Sequence, residues 1–360
     1  MIRLTLPAMA DAERPYVARL GRTRSTNGVH DFELIDEDVD GATYVGRNGL
    51  VAIDGATSDE LQGDVVIVDP AGGRAERILR RGSTHNTLLV TERCDQLCLM
   101  GSQPPKKTHV DRFALFEEAC LLADPGSLIG VSGGEPTLYK SDLLGMMERV
   151  LSERQDIEFH VLTNGQFFDE ADIVRLRDPR YARVTWGIPV YAAEAVLHDR
   201  IVGKERAFER LETSMAMLAR AGARIELRTV LISDNVQALP SLASYITRRL
   251  RFVEVWSIMQ LENIGFARTH WASLFVDHAA DFAPIGEAID QAMLRGVRAQ
   301  LFNFPRCTVP VAWRDLARAS ISDWKRRYAD ACSPCRERDA CSGFFEWHPT
   351  EQAEAGVRPL

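Results

Sequence analysis

The chain has 360 residues, 46% of them hydrophobic, and a formal net charge of −8 at pH 7, enough for one large domain with additions or for two to three domains. The acidic balance, with no basic block, speaks against nucleic acid as the main partner. No run approaches the roughly 18 uncharged apolar residues of a membrane helix, and the first residues lack the apolar centre of a secretory signal, so a cytoplasmic protein without a membrane partner is expected.

Residues 1–84 read as a small, mostly antiparallel β-rich module. Short β-prone pieces ("DFELID", "TYVGR", "GLVAID", "DVVIVDP", "RAERILR") alternate with Gly- and Asp-containing turns, and none carries a chemical constellation. From residue 85 strands and helices alternate. "NTLLVTE", "SLIGVSG", "IEFHVLTN", "ARVTWGIPV", "ARIELRTVLI" and "FVEVWSIMQ" are predicted strands, with helical segments such as "RFALFEEACLLA", "YKSDLLGMMERVLSE" and "ERAFERLETSMAMLARAG" between them. Six β/α units in series, over residues 85–277, imply a parallel sheet wrapped by helices. Six are too few for a closed eight-unit barrel, so an open, partial (β/α)6 barrel is expected. Residues 278–360 read as an extension: one helix, one short strand ("VRAQLFNF"), and a polar tail holding Cys307, Cys332, Cys335 and Cys341.

There are seven cysteines in all. An odd count without an export signal points to metal or redox chemistry rather than disulfides. Cys120, beside Phe116 and Leu121 on an apolar helix face, reads as core. Cys94 and Cys98 follow the first barrel strand. Gly133, Gly134, Glu135 and Pro136 follow the second, and Thr163, Asn164 and Gly165 the third. In α/β barrels the working residues sit on the rim at the C-terminal ends of the strands. All three clusters fall there, which makes that rim the candidate site.

The order Cys-x3-Cys after strand one, Gly-Gly-Glu-Pro after strand two and Thr-Asn-Gly after strand three resembles the radical S-adenosylmethionine (SAM) superfamily, over roughly residues 85–265. The wording "TERCDQLCLMGSQPP" is similar to one branch, the radical SAM maturases of the His-Xaa-Ser peptide system. The resemblance implies a [4Fe–4S] cluster held by three thiolates, SAM on its open iron, and a 5′-deoxyadenosyl radical that takes hydrogen from a peptide. Carried over to this chain, Cys94 and Cys98 are cluster ligands, and Met100 lies against the adenine. Gly133 and Gly134 admit SAM closely, Glu135 accepts its ammonium, and Pro136 stiffens the turn. Asn164 approaches the ribose or methionyl part, and Arg228 grips the carboxylate. Plain structural readings stand beside these: Met100 as core, Asn164 as a turn residue, Arg228 paired with Glu226. His198 with Asp199, and Glu262 with Asn263, lie at the rim as loop residues or, alternatively, as reactive ones. No general acid or base is named.

The third cluster ligand of the resembling family falls at position 101, which is Gly101. Glycine offers no ligand, Ser102 is a poor soft-metal donor, and His109 is outside the expected loop. Three explanations stay open: a substitution in an otherwise active enzyme, a lineage that kept the fold for binding peptide, or a different ligand set.

In the tail, four thiolates suit either a [4Fe–4S] cluster or zinc. The spacing Cys332-x2-Cys335-x5-Cys341 is similar to the auxiliary-cluster tails of peptide-modifying radical SAM enzymes. Their double-cluster form implies a further cysteine where this chain has Phe345, so one auxiliary cluster is expected. The function implied is an oxidoreductase-type maturation of a ribosomally made peptide. Its partners would be a precursor peptide, an electron donor and a second maturase. The competing reading is a non-catalytic peptide-binding partner with a degenerate SAM site.

Overall fold

The computed structural model describes residues 2–23 and 28–360. In chain order the principal strands are β1 (Thr5–Ala10), β2 (Tyr16–Gly21), β3 (Asp31–Glu37), β4 (Gly41–Gly46), β5 (Gly49–Asp54), β6 (Val65–Asp69), β7 (Arg74–Leu79), β8 (Thr87–Thr91), β9 (Leu128–Gly133), β10 (Glu158–Leu162), β11 (Val184–Pro189), β12 (Arg224–Val230), β13 (Val255–Met259) and β14 (Arg298–Phe302). The principal helices are α1 (Phe113–Leu121), α2 (Lys140–Glu153), α3 (Glu170–Leu176), α4 (Ala195–Val202), α5 (Ala207–Ala221), α6 (Leu239–Arg249) and α7 (Ala283–Leu294). Two compact units result. One holds the chain up to Val90 with Val110–Ser132 and Tyr139–His160; the other holds Thr91–His109, Gly133–Leu138 and Val161–Leu360. Among the described residues no helix is long and apolar enough to cross a membrane.

In the first unit β1 to β7 close into a barrel in the order β1-β5-β4-β3-β2-β6-β7. Closure leaves no unpaired edge. All pairings are antiparallel except β2 with β3, which is parallel. The alternation along β1, with Leu6 and Ala8 buried and their neighbours exposed, feeds a core that includes Phe32, Tyr44, Val51 and Ile53. Gly46 is needed here, because a Cβ would lie 2.6 Å from the Phe32 ring. Sequence pattern missed β1 and β2, whose Pro7 and Arg19 blur the alternation. Cys120 is fully buried on α1, as its apolar neighbours suggest.

A second sheet has the order β14-β13-β12-β11-β10-β9-β8. It has seven strands where six were expected. The strand assigned to the C-terminal extension, β14, pairs in parallel with β13 from Val255↔Arg298 to Met259↔Phe302. Its short alternating pattern, read alone, gave no partner. On β12 and β13, Ile225, Leu227, Trp256 and Ile258 are buried on one face, while Glu226, Arg228 and Ser257 occupy the other. The segment "VLHDRIVG", read as a loop, is the body of α4, capped by Gly203 in the left-handed conformation (φ 64°).

Trp256 anchors the apolar face. It is fully buried, and its indole N–H donates to Thr229 Oγ1 at 2.9 Å, which in turn donates to the Val190 carbonyl at 2.6 Å. Trp256→Ala is expected to lower unfolding free energy by about 3–5 kcal/mol in denaturant titration.

Candidate functional site

The three rim motifs belong to the second unit and are tied together by their own side chains. Glu135 is completely enclosed. Its Oε1 accepts from the Thr137 backbone N–H at 2.8 Å, from Thr163 Oγ1 at 2.6 Å and from the Thr137 hydroxyl; its Oε2 accepts from the Asn164 backbone N–H at 2.5 Å. Burial is the largest influence on its pKa and raises it, with these donors opposing. The carboxylate binds the chain's own loops.

Gly133 and Gly134 also serve the chain's own packing. A Cβ on Gly133 would stand 2.5 Å from the Thr91 carbonyl oxygen, and one on Gly134 only 2.2 Å from that of Arg93. The backbone approach that glycine allows is thus taken by residues 91–94, with Gly134 N–H on the Thr91 carbonyl at 2.8 Å and Glu135 N–H on that of Arg93 at 2.7 Å. Pro136 opens a short 3-10 turn (Pro136–Tyr139).

The cysteine loop is anchored along its length. Leu97 and Leu99 donate their N–H groups to the carbonyls of Val202 and Ile201, at 3.0 and 2.9 Å, using acceptors that the C-terminus of α4 leaves open. Gly101 N–H closes a turn on Cys98 O at 2.9 Å, and Gly101 O accepts from Phe266 N–H at 2.9 Å. Met100 is buried among Tyr191, Ile201, Ile232 and Leu261. Burial pushes the thiols up, Cys94 to about 11 and Cys98 to about 12. A Cβ built on Gly101 would meet Cys98 O at 3.1 Å and the Phe266 ring at 3.3 Å. A side chain there therefore requires a displacement of a few tenths of an ångström.

A polar chain that sequence reading missed runs beside this loop. Asn164 Nδ2 donates to Asp95 Oδ1 at 2.8 Å; Lys204 Nζ is ion-paired with the other oxygen of Asp95 and donates to Gln166 Oε1 at 2.9 Å. Asp95 sits between the two cysteines, which was a usable signal. Lys204, 109 residues away in sequence, left none.

The other candidates are placed elsewhere or paired. Arg228 Nη1 lies 3.1 and 3.2 Å from the two oxygens of Glu226, two residues back on the same face of β12. His198 is fully buried between Tyr191 and Phe208, and Asp199 accepts the Phe208 N–H at 2.8 Å. Lys325 lies 3.5 Å from Glu262. His109 bonds Thr91 Oγ1 at 3.2 Å. Among the described residues, no three His, Cys, Asp or Glu side chains are grouped to hold a single metal ion.

In the tail, Cys307, Cys332, Cys335 and Cys341 line one small cavity, together with Tyr328 and Leu360. Cys341 Sγ accepts from the backbone N–H groups of Arg306 at 3.3 Å and Gly343 at 3.4 Å. Burial raises the thiol pKa of Cys307 and of Cys332.

No protein-family profile matches this sequence, and no curated protein matches it. Among solved structures, Streptococcus suis SuiB bound to S-adenosylmethionine is 13% identical over 62% of this chain and 51% of its own, with TM-score 0.49. The protein anSMEcpe with bound AdoMet and Cp18Cys peptide is 14% identical over 60% of this chain and 62% of its own, with TM-score 0.46. A radical SAM methyltransferase from Sphaerobacter thermophilus is 14% identical over 75% and 76%, with TM-score 0.44. The chain spans about half the length of the SuiB chain. At those values the chemistry has to be read from this chain's own side chains.

Burial holds His198 neutral, with its pKa lowered from 6.5 to about 4. The unfolded chain takes up this proton below about pH 6.5 while the folded chain does not, so the stability His198 confers is present at neutral pH and lost on acidification. Between pH 7 and 5 the loss is roughly 2 kcal/mol. Urea titrations at both pH values are expected to show a smaller acid loss in His198→Phe than in the parent.

Proposed function

We propose that the chain is a radical SAM-type peptide-maturation protein, acting on a ribosomally made precursor of the His-Xaa-Ser kind, whose barrel loop as written is short of one thiolate. In this reading residues 85–277 are a partial barrel, preceded by the β module of residues 1–84 and followed by a cysteine-rich extension at 278–360. A cytoplasmic location, an electron donor and a partner maturase belong to the same reading. The observation that carries it is the joining of the three motifs: Glu135 accepts from Asn164, and Asn164 donates to Asp95 between Cys94 and Cys98. Motifs separated by about 30–70 residues are linked through one buried and one part-buried hydrogen bond, and buried contacts are costly to leave unmade.

The two thiol sites differ in their fit to iron–sulfur chemistry. The barrel loop supplies two thiols and a glycine, with no grouped third donor among the described residues. That does not fit a cluster requiring three protein thiolates. Gly101 thus favours a second reading: as written, the chain binds peptide without cleaving SAM. The tail fits better. Four thiols surround one cavity, yet no three donors are grouped for a single ion. Zinc draws its sulfurs to about 2.3 Å from one centre, whereas a cubane spaces its thiolates with its own atoms. Cys307, Cys332, Cys335 and Cys341 would hold an auxiliary [4Fe–4S] cluster, which when bound supplies electron transfer.

Anaerobic reconstitution with iron, sulfide and zinc counting tests both sites. The chain as written is expected to take up about four irons, lost in Cys335→Ser, and Gly101→Cys about eight. Only Gly101→Cys is expected to release 5′-deoxyadenosine from SAM under dithionite. Release by the chain as written would refute the two-thiol argument. Absence of release from both, with Gly101→Cys loaded with iron at the barrel, would leave peptide binding without SAM cleavage.

A further inference from the structure

Gln166, next to the third motif, has a buried polar group that is not used. It is 8% exposed. Its backbone N–H donates to Asn164 Oδ1 at 3.1 Å, and its side-chain Oε1 accepts from Lys204 Nζ at 2.9 Å. The second contact sets the orientation of the amide, since an ammonium only donates. The Nε2 group is then left buried with no hydrogen-bond partner. A buried donor left unmade costs about 1–3 kcal/mol, and native proteins rarely leave one without protein, water or ligand to meet it.

We infer that Gln166 Nε2 is a ligand-binding donor, meeting a neutral oxygen or nitrogen acceptor of a nucleoside bound beside the Cys94–Cys98 loop. This rests on the reading above, in which the ligand is SAM, but assigns a residue outside the three motifs. The surroundings select the ligand's chemistry. Lys204, the nearby cation, is committed to Asp95 and to Gln166 Oε1, and its ammonium lies 5.5 Å from the centre of the Phe167 ring. Lys204 and Asp95 neutralise each other, so this ammonium is not free to draw a carboxylate to the donor. A neutral amide N–H in balanced surroundings matches a hydroxyl, a ring ether or a purine nitrogen. Asn164 takes part as a positioning residue, fixing the Gln166 backbone through its Oδ1 and the cysteine loop through Asp95.

Equilibrium dialysis of the full chain tests this without turnover, with SAM, adenosine and methionine as separate probes. Gln166→Met removes the donor at similar length. Gln166→Glu removes it while keeping an acceptor for Lys204, and reads the same contact if the methionine variant does not fold. Each folded variant is expected to bind SAM and adenosine about tenfold more weakly than the parent, with methionine unchanged. Equal SAM binding by parent and variants would leave an ordered water only and overturn the inference, with the SAM reading intact. Loss confined to methionine would overturn the nucleoside assignment. A folded parent that binds neither SAM nor adenosine would remove the SAM reading and this inference together.

Discussion

A carboxylate without access to water has to find its hydrogen-bond donors within the protein. Glu135 finds four: the backbone and hydroxyl of Thr137, the hydroxyl of Thr163 and the backbone of Asn164. Satisfying it fixes the loop after β9 to the loop after β10. The glycines before it let residues 91–94 lie against the same loop, with carbonyl oxygens where Cβ atoms would otherwise be. The rim is therefore assembled around one buried carboxyl group and the donors that satisfy it.

That constraint gives the cysteine loop its character. Its backbone is held by the end of α4 and by Phe266, its Asp95 by Lys204 and Asn164, and Met100 by an apolar cluster. Gly101 sits in this frame as a turn residue with close neighbours. The tail uses the opposite strategy. Its cysteines come from short turns and gather around a cavity. One cysteine group is a well-held loop with two thiols and a glycine; the other gathers four thiols on a locally irregular backbone.

The motifs were legible because they are short and fall at strand ends, where chain order alone puts them on one rim. The buried partners were less so. Arg228 and Glu226 share a face because side chains two apart on a strand point the same way, so their pairing was readable. The Lys204–Asp95 pair and the open donor of Gln166 were not, because each depends on loops meeting across long sequence separations. His198 was placed in a loop because the eight residues of α4 carry too weak a periodic signal to separate helix from turn.

By itself the sequence determined the alternation of strands and helices, the placing of the three motifs at strand ends, the glycine at position 101 and the count of tail thiols. These follow from local periodicity and from residue identity, which do not depend on distant partners. Tertiary structure alone decided that the first seven strands close into a barrel, that β14 joins the second sheet, that Glu135 faces inward and that the four tail cysteines share one cavity. Each of those outcomes depends on pairing or burial between residues far apart in the chain, where hydrogen-bond satisfaction and exclusion of water act between segments.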